Sequence, residues 1–157
     1  MKCFVLLTVW RVQAPLDQVW STMVHSERWP RWWRSLESVT ELEPGGPDGV
    51  GNVRRYVWRS PLFLRLRIDM HTTAVEPRTR LAAVASGDAS GTGEWRFQAR
   101  SRETIVEYDW RVQLTRPGLR HMAWVLAPLF ARSHRAVMTR GAQGLGRELG
   151  CRVDAEC

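Results

Sequence analysis

Between residues 35 and 115 apolar side chains recur at alternate positions, and between 119 and 149 they recur every third or fourth residue. The first period is that of strands and the second that of a helix. A sheet and a helix that are each apolar on one side must bury those sides against one another, which points to an α+β fold. Turn signals at 44–51, 60–63, 76–79, 87–93 and 100–103 divide the alternating region into six strands, a meander. Leu64, Leu66, Ile68 and Met70 share one face with Arg65, Arg67, Asp69 and His71 opposite. Trp95, Phe97 and Ala99 oppose Glu94, Arg96 and Gln98, and Val106, Tyr108, Trp110, Val112 and Leu114 oppose Glu107, Asp109, Arg111 and Gln113. One face of the sheet is therefore wet and the other covered. The cover is a long helix carrying the stripe Leu119, Met122, Ala123, Leu126, Phe130, Val137, Gly141, Leu145 and Leu149, with Pro128 expected to kink or split it.

Residues 2–13 read as a further strand, apolar on both faces, which makes seven. Pro15 and Asp17 suit the start of a helix, and Leu16, Val19, Trp20 and Met23 keep helical spacing. A second short helical turn is expected at 27–33. The chain reads as one domain over residues 1–149 with a loose tail at 150–157.

At 157 residues such a domain buries enough surface to need no staples. The apolar run at residues 3–10 is far shorter than the roughly 18 residues that span a bilayer, and it leads into an amphipathic helix, not a cleavage site. It is read as a buried first strand of a cytoplasmic protein. Cys3, Cys151 and Cys157 are odd in number and lack metal-ligand spacing, so free thiols are expected.

The order of strand, two short helices, six-strand meander and long terminal helix is that of the helix-grip fold. Five segments carry a closer likeness: residues 14–20, Ala-Pro-Leu-Asp-Gln-Val-Trp; residues 29–33, Trp-Pro-Arg-Trp-Trp; residues 58–62, Trp-Arg-Ser-Pro-Leu; Gly87-Asp88 through Gly91-Thr92-Gly93-Glu94-Trp95; and His134 through Val137-Met138 with Gly141, Gly144 and Leu145. On these the chain resembles the SRPBCC/START-like superfamily, in particular bacterial proteins of the polyketide cyclase/dehydrase and lipid transport type. Where an Asn-His pair is common in the terminal helix of that family, this chain has Ser133-His134. The resemblance implies a seven-stranded curved antiparallel sheet around the terminal helix, with an apolar, ligand-sized cavity between them. It covers carriers and hydrolytic and cyclising enzymes alike, so function has to be argued from the site.

Alternation and the helical stripe turn Leu66, Met70, Trp95, Phe97, Tyr108, Trp110, Leu126 and Phe130 toward that cavity; Tyr56 and Trp58 join them, although Val53 and Val57 compete for the same face. Nine tryptophans either fill a core or wall a pocket, and rings doing either read alike from sequence. The cluster Trp29, Trp32 and Trp33 beside Arg28, Arg31 and Arg34 offers a peripheral membrane contact, whereas the resemblance implies a place in the small helices by the pocket mouth. Gly87, Gly91 and Gly93 read as a hairpin turn, since the chain continues as a strand and no helix follows to hold a phosphate. His25, His71, His121 and His134 share no ligand spacing, so neither a metal nor another cofactor is expected. No elbow or triad supplies a nucleophile. Cavity chemistry that moves protons or holds an enolate would fall to His134, Tyr108 or Arg54, each also readable as an ordinary buried partner.

The expected function is binding of a small hydrophobic molecule, polyketide-like, aromatic or lipid, by a monomer or homodimer. The rival classes are an aromatase/cyclase or dehydratase using the same cavity, and a partner-binding module whose cavity its own side chains fill.

A net charge of +7 raises nucleic acid as a partner. Only Lys2 among the 23 basic residues is lysine, and the arginines are spread along the chain and alternate with acids instead of forming a stripe with interleaved rings. Duplex and single-strand affinities measured against salt should therefore be weak and indifferent to sequence, with Kd no lower than roughly 10⁻⁴ to 10⁻⁶ M at physiological salt. Submicromolar binding with sequence preference would contradict this.

Overall fold

The computed structural model describes residues 2–59 and 65–157. The turn expected at 60–63, Leu64 and part of the 58–62 segment lie outside the described residues. In chain order the elements are β1 (Cys3–Val12), α1 (Leu16–Val24), a 3₁₀ turn (Ser26–Arg31), β2 (Leu36–Glu43), β3 (Val53–Arg59), β4 (Arg65–Glu76), β5 (Arg80–Gly87), β6 (Ala89–Arg100), β7 (Glu103–Leu114), α2 (Ala123–Leu149) and β8 (Val153–Glu156). The strands form one antiparallel sheet in the order β2-β3-β4-β5-β6-β7-β1-β8. Register shifts in the β2–β3 and β4–β5 ladders mark bulges, which bend and twist a sheet. The architecture is the helix-grip fold.

Among the described residues there are eight strands, one more than the seven expected, because the residues read as a loose tail pair with β1, Val9 opposite Glu156 through Val12 opposite Val153. Gly150, in the left-handed conformation at φ 64°, ends α2, and Cys151 N–H donates to Gly146 O at 3.0 Å, so the chain reverses at once. β1 is buried on one face only: Phe4, Thr8, Trp10 and Val12 are inside, while Val5 and Leu7 are exposed on the other. The expected glycine turn at 87–93 shrinks to Gly87-Asp88. Asp88 binds this corner to β4 through its carboxylate, which accepts from Arg67 N at 2.8 Å. Gly91 and Gly93 are strand residues of β6, and a Cβ on Gly93 would lie 2.8 Å from Tyr108 Oη. A strand glycine here marks close approach of a ring.

The terminal helix starts at Ala123, four residues later than its stripe begins at Leu119, and it runs unbroken through Pro128. Pro128 is exposed and stands in the second turn, so the only intrahelical bond it lacks is the one its own nitrogen would make. The deeply buried part of α2 is its second half, with Met138, Gly141, Ala142, Gly144 and Leu145. This half docks on the residues that follow the 3₁₀ turn. A Cβ on Gly144 would fall 1.8 Å from Trp32 O, and one on Gly141 2.5 Å from the Trp33 ring. Trp33 Nε1 donates to Val137 O at 2.9 Å.

Gly144→Ala should lower stability by about 1–3 kcal/mol, the usual range for overpacking, and the melting temperature by about 2–12 °C for a chain this long. Gly46→Ala, whose new methyl would meet Asp48 Oδ1 no closer than 3.2 Å, is the control. A Gly144→Ala melt within a degree of wild type would show that α2 is not seated on residues 32–33.

Candidate functional site

Between the inner face of the sheet and the first half of α2 lies a cavity of about 310 Å³. Its sheet wall is built by alternation. Tyr56 and Trp58 come from β3, Leu66, Ile68, Met70 and Thr72 from β4, Trp95 from β6, and Tyr108 and Trp110 from β7. Leu126, Phe130, His134 and Val137, spaced four, four and three apart, line it from α2, and Trp29 and Trp33 close one end. The rings touch in two stacked runs. Tyr56 and Trp58 are near-parallel at 9°. Trp95 stacks on Tyr108 at 4.1 Å, and Tyr108 lies at 18° to Trp110. Trp29 bridges the runs, 5.9 Å from both Tyr56 and Trp95.

Polar groups also enter this wall, among them Ser26, Arg54, Tyr56, Tyr108 and His134, with Glu41, Asp48, Asn52 and Arg59 on the same lining. Ser26 Oγ, at the start of the 3₁₀ turn, accepts from Tyr56 Oη and from Arg54 Nη1, both at 2.7 Å. Arg54 Nη2 also lies 3.4 Å from Glu27 and 3.6 Å from Glu41. The buried Arg54 Nε and His134 Nε2 have no hydrogen-bond partner among the described residues. Burial pushes the His134 imidazole down to about 4, so it is neutral at physiological pH. Burial raises both phenols. For Tyr56 the Ser26 hydrogen bond and the nearby Arg54 charge pull the other way, whereas for Tyr108 the neighbouring Tyr56 and Asp109 add to the rise. Both therefore stay protonated. The cavity thus presents a neutral imidazole and two protonated phenols among rings, with the guanidinium groups of Arg54 and Arg59 and the carboxylates of Glu41 and Asp48 also on its lining.

All three candidate proton-handling residues, His134, Tyr108 and Arg54, lie on this wall. Of the ten residues expected to face a ligand, Tyr56, Trp58, Leu66, Met70, Trp95, Tyr108, Trp110, Leu126 and Phe130 line it. Phe97 does not. It faces inward as its alternation requires, but α1 covers that stretch of the sheet and Trp20 packs edge-on against the Phe97 ring at 5.2 Å. Trp29, Trp32 and Trp33 are buried, so the membrane contact considered for them is closed. Ser26, Trp29 and Trp33 were not among the ten expected wall residues, although the resemblance implied a place by the pocket mouth for the tryptophans. Only the path of the short helices across the sheet brings them there, and no period in the sequence reports that path.

The family profile described as polyketide cyclase / dehydrase and lipid transport matches residues 8–150. A search of curated proteins returns no match. Among solved structures, a START superfamily protein from Mycobacterium smegmatis superposes with a TM-score of 0.72 at 14% identity, covering 92% of this chain and 98% of that one. A protein from Thermus thermophilus gives 0.69 at 15% identity, over 92% and 99%. The Zhui aromatase/cyclase from a Streptomyces species gives 0.62 at 16% identity, over 93% and 96%. At these identities the superpositions speak for the fold. The profile match over most of the chain, with the sheet and helix arranged as in those structures, places this protein in the polyketide cyclase/dehydrase and lipid transport family.

Proposed function

We propose that this protein binds a flat, mostly apolar molecule bearing one or two uncharged oxygens, of the aromatic or polyketide-like kind, in the cavity between sheet and α2. The observation that carries this reading is the combination of stacked rings around about 310 Å³ with two buried nitrogens, Arg54 Nε and His134 Nε2, that the described residues leave unpaired. That volume is at the small end of ligand pockets, roughly 300–1,000 Å³. Ring faces favour a planar guest by offset stacking. Buried polar atoms without partners are costly; a carbonyl or hydroxyl oxygen on the guest would accept from Arg54 Nε, and a hydroxyl would pair with His134 Nε2 whether that nitrogen donates or accepts.

Melting temperatures taken with an aromatic and polyketide-mimic library test the proposal. A binder at a hundred times its Kd adds about 2.7 kcal/mol, which is a rise of about 5–11 °C at this chain length. Met70→Trp and Phe130→Trp should each abolish that rise while the unliganded variants melt near wild type, because the new ring enters open space. If no compound shifts the melt and both variants lose about 1–3 kcal/mol, as overpacking a filled core would cause, the side chains fill the space themselves.

One observation favours a second reading, catalysis on the same guest. A protonated Tyr108, a neutral His134 and the unpaired Nε of Arg54 share the cavity, and together they offer a proton donor, a proton acceptor and an N–H donor for a developing enolate oxygen. The aromatase/cyclase among the structural neighbours makes ring closure or dehydration of a polycarbonyl chain the reaction to try. Product formation that Tyr108→Phe abolishes without loss of binding would select the enzyme, and binding with no turnover the carrier.

The neutral state of His134 has its own signature. Its folded-state value of about 4 is below the ordinary 6.5, so between those pH values the unfolded chain binds a proton that the folded chain refuses. The stability held by keeping the ring neutral is complete above pH 6.5, declines as pH falls toward 4 and levels off below. The decline amounts to about 3 kcal/mol. Denaturant titrations at stepped pH should show this component in wild type and not in His134→Gln; equal pH profiles would mean that the imidazole is solvated.

A further inference from the structure

The outer face of α2 is built the wrong way round for a helix in water. Met122 and Leu129 are 50% and 41% exposed, and Trp124 and Val125 are 74% and 75% exposed. Met122, Val125 and Leu129 fall at i, i+3 and i+7, with Pro128 between them on the same side, so these residues form one contiguous apolar strip over the first turns. The charges within this segment are of one sign. All sixteen Asp and Glu residues of the chain lie outside residues 115–147, which hold Arg116, Arg120, Arg132, Arg135, Arg140 and Arg147. Arg120, Arg132 and Arg135 are exposed beside the strip, and Lys2 Nζ stands 4.7 Å from the Trp124 ring centre. Elsewhere the pattern is different: Arg55, Arg80 and Arg111 on the sheet each pair with a carboxylate.

We infer that this face of α2 docks on an anionic lipid bilayer, with Trp124, Val125, Met122 and Leu129 entering the headgroup boundary and the arginines holding acidic lipids. An apolar strip with a basic surround and no acid is the composition of helices that lie in a bilayer interface, where tryptophan also concentrates. A second copy of the chain is a poor occupant. Two such faces would bring Arg120, Arg132 and Arg135 against their own counterparts with no carboxylate between them. The opposite side of the same turns carries Leu126, Phe130 and His134 into the cavity, so the docking face lies one helix diameter, about 10–12 Å, from the space proposed for the guest. The docking claim itself does not depend on what that space holds.

Flotation with phosphatidylcholine vesicles, with and without phosphatidylglycerol, tests it. Binding is expected to phosphatidylglycerol vesicles at low salt and to weaken as salt is raised. Trp124→Ser with Val125→Ser, and separately Arg120→Glu with Arg132→Glu, should each reduce the bound fraction at least tenfold. These side chains are at the surface, so melting temperatures should stay near wild type, and Arg140→Glu, farther along α2, should retain most of the binding. Brominated acyl chains should quench the fluorescence of wild type and not of Trp124→Phe, which keeps the apolar strip while removing the reporter. Failure to bind vesicles at low salt would overturn the inference. So would binding that survives the Trp124/Val125 change, or a dimer in sedimentation equilibrium that this change dissolves while vesicles stay unbound. Because ligand-induced melting shifts are read without lipid, loss of either result leaves the other standing.

Discussion

Trp33 occupies a gap on α2 that exists because residue 141 is glycine, and its indole N–H donates to Val137 O one turn earlier. The ring also touches Trp10 and Trp58 at 5.4 and 5.1 Å and stacks on Trp32. One side chain therefore ties the helix, two strands and the segment after the 3₁₀ turn to each other. Its hydrogen bond fixes the position along the helix axis and its edge fixes the rotation. Gly144 repeats the arrangement one turn on, where the helix meets the Trp32 carbonyl. Aromatic burial at such density is stabilising through area as well as ring contacts, and it is concentrated at one end of the molecule.

That concentration accounts for the open space. Small residues, Gly141, Ala142 and Gly144, let the second half of α2 sit close to its support, while the first half crosses the sheet with Leu126 and Phe130 only half buried. Between the two halves the distance from helix to sheet is set at the Trp33 end and is not closed by packing at the other. On the sheet side the same economy recurs in β6. With no side chain of its own, Gly93 leaves room for the phenol of Tyr108, which then stacks on Trp95 instead of being pushed toward the helix. The cavity is thus a product of where glycines stand relative to rings, as much as of the curvature of the sheet.

The strand faces were legible because a period of two is set by backbone geometry alone, and Leu66, Met70, Trp95, Tyr108 and Trp110 followed from it. What alternation cannot report is position along a strand. Phe97 has the same facing as Trp95, two residues away, yet it lies under α1 and Trp20 and not over the cavity. The Trp29, Trp32 and Trp33 cluster carries flanking arginines, and its composition alone fits a surface as well as a core; burial was decided by the glycines of α2 a hundred residues later. Gly91 and Gly93 read as turn residues because glycine is rare within strands, and what requires them is on β7, the Arg111 backbone carbonyl against Gly91 and the Tyr108 and Trp110 rings against Gly93. β8 escaped notice since four residues alternating Val153, Asp154, Ala155 and Glu156 are too few to tell from a tail.

Electrostatically α2 separates two environments, and the proposed guest and the proposed surface follow from the same asymmetry. Inside, burial holds His134 neutral and keeps the protons on both phenols. The lining also carries Arg54 and Arg59, and each already has a carboxylate beside it, Glu27 and Glu41 within 3.6 Å of Arg54 and Glu37 at 3.5 Å from Arg59, so their charge is answered before any guest arrives. An anionic guest would meet carboxylates already beside each guanidinium, and a cationic guest would have to give up its water with Arg54 and Arg59 among the lining groups. An uncharged oxygenated molecule meets neither obstacle and matches the two nitrogens left open. Outside, the same helix turns carry arginine with no acid across thirty-three residues of sequence. A surface that attracts acidic headgroups therefore stands back to back with a cavity that rejects them, which would let the protein rest on an anionic bilayer while its interior stays selective for the neutral, planar component.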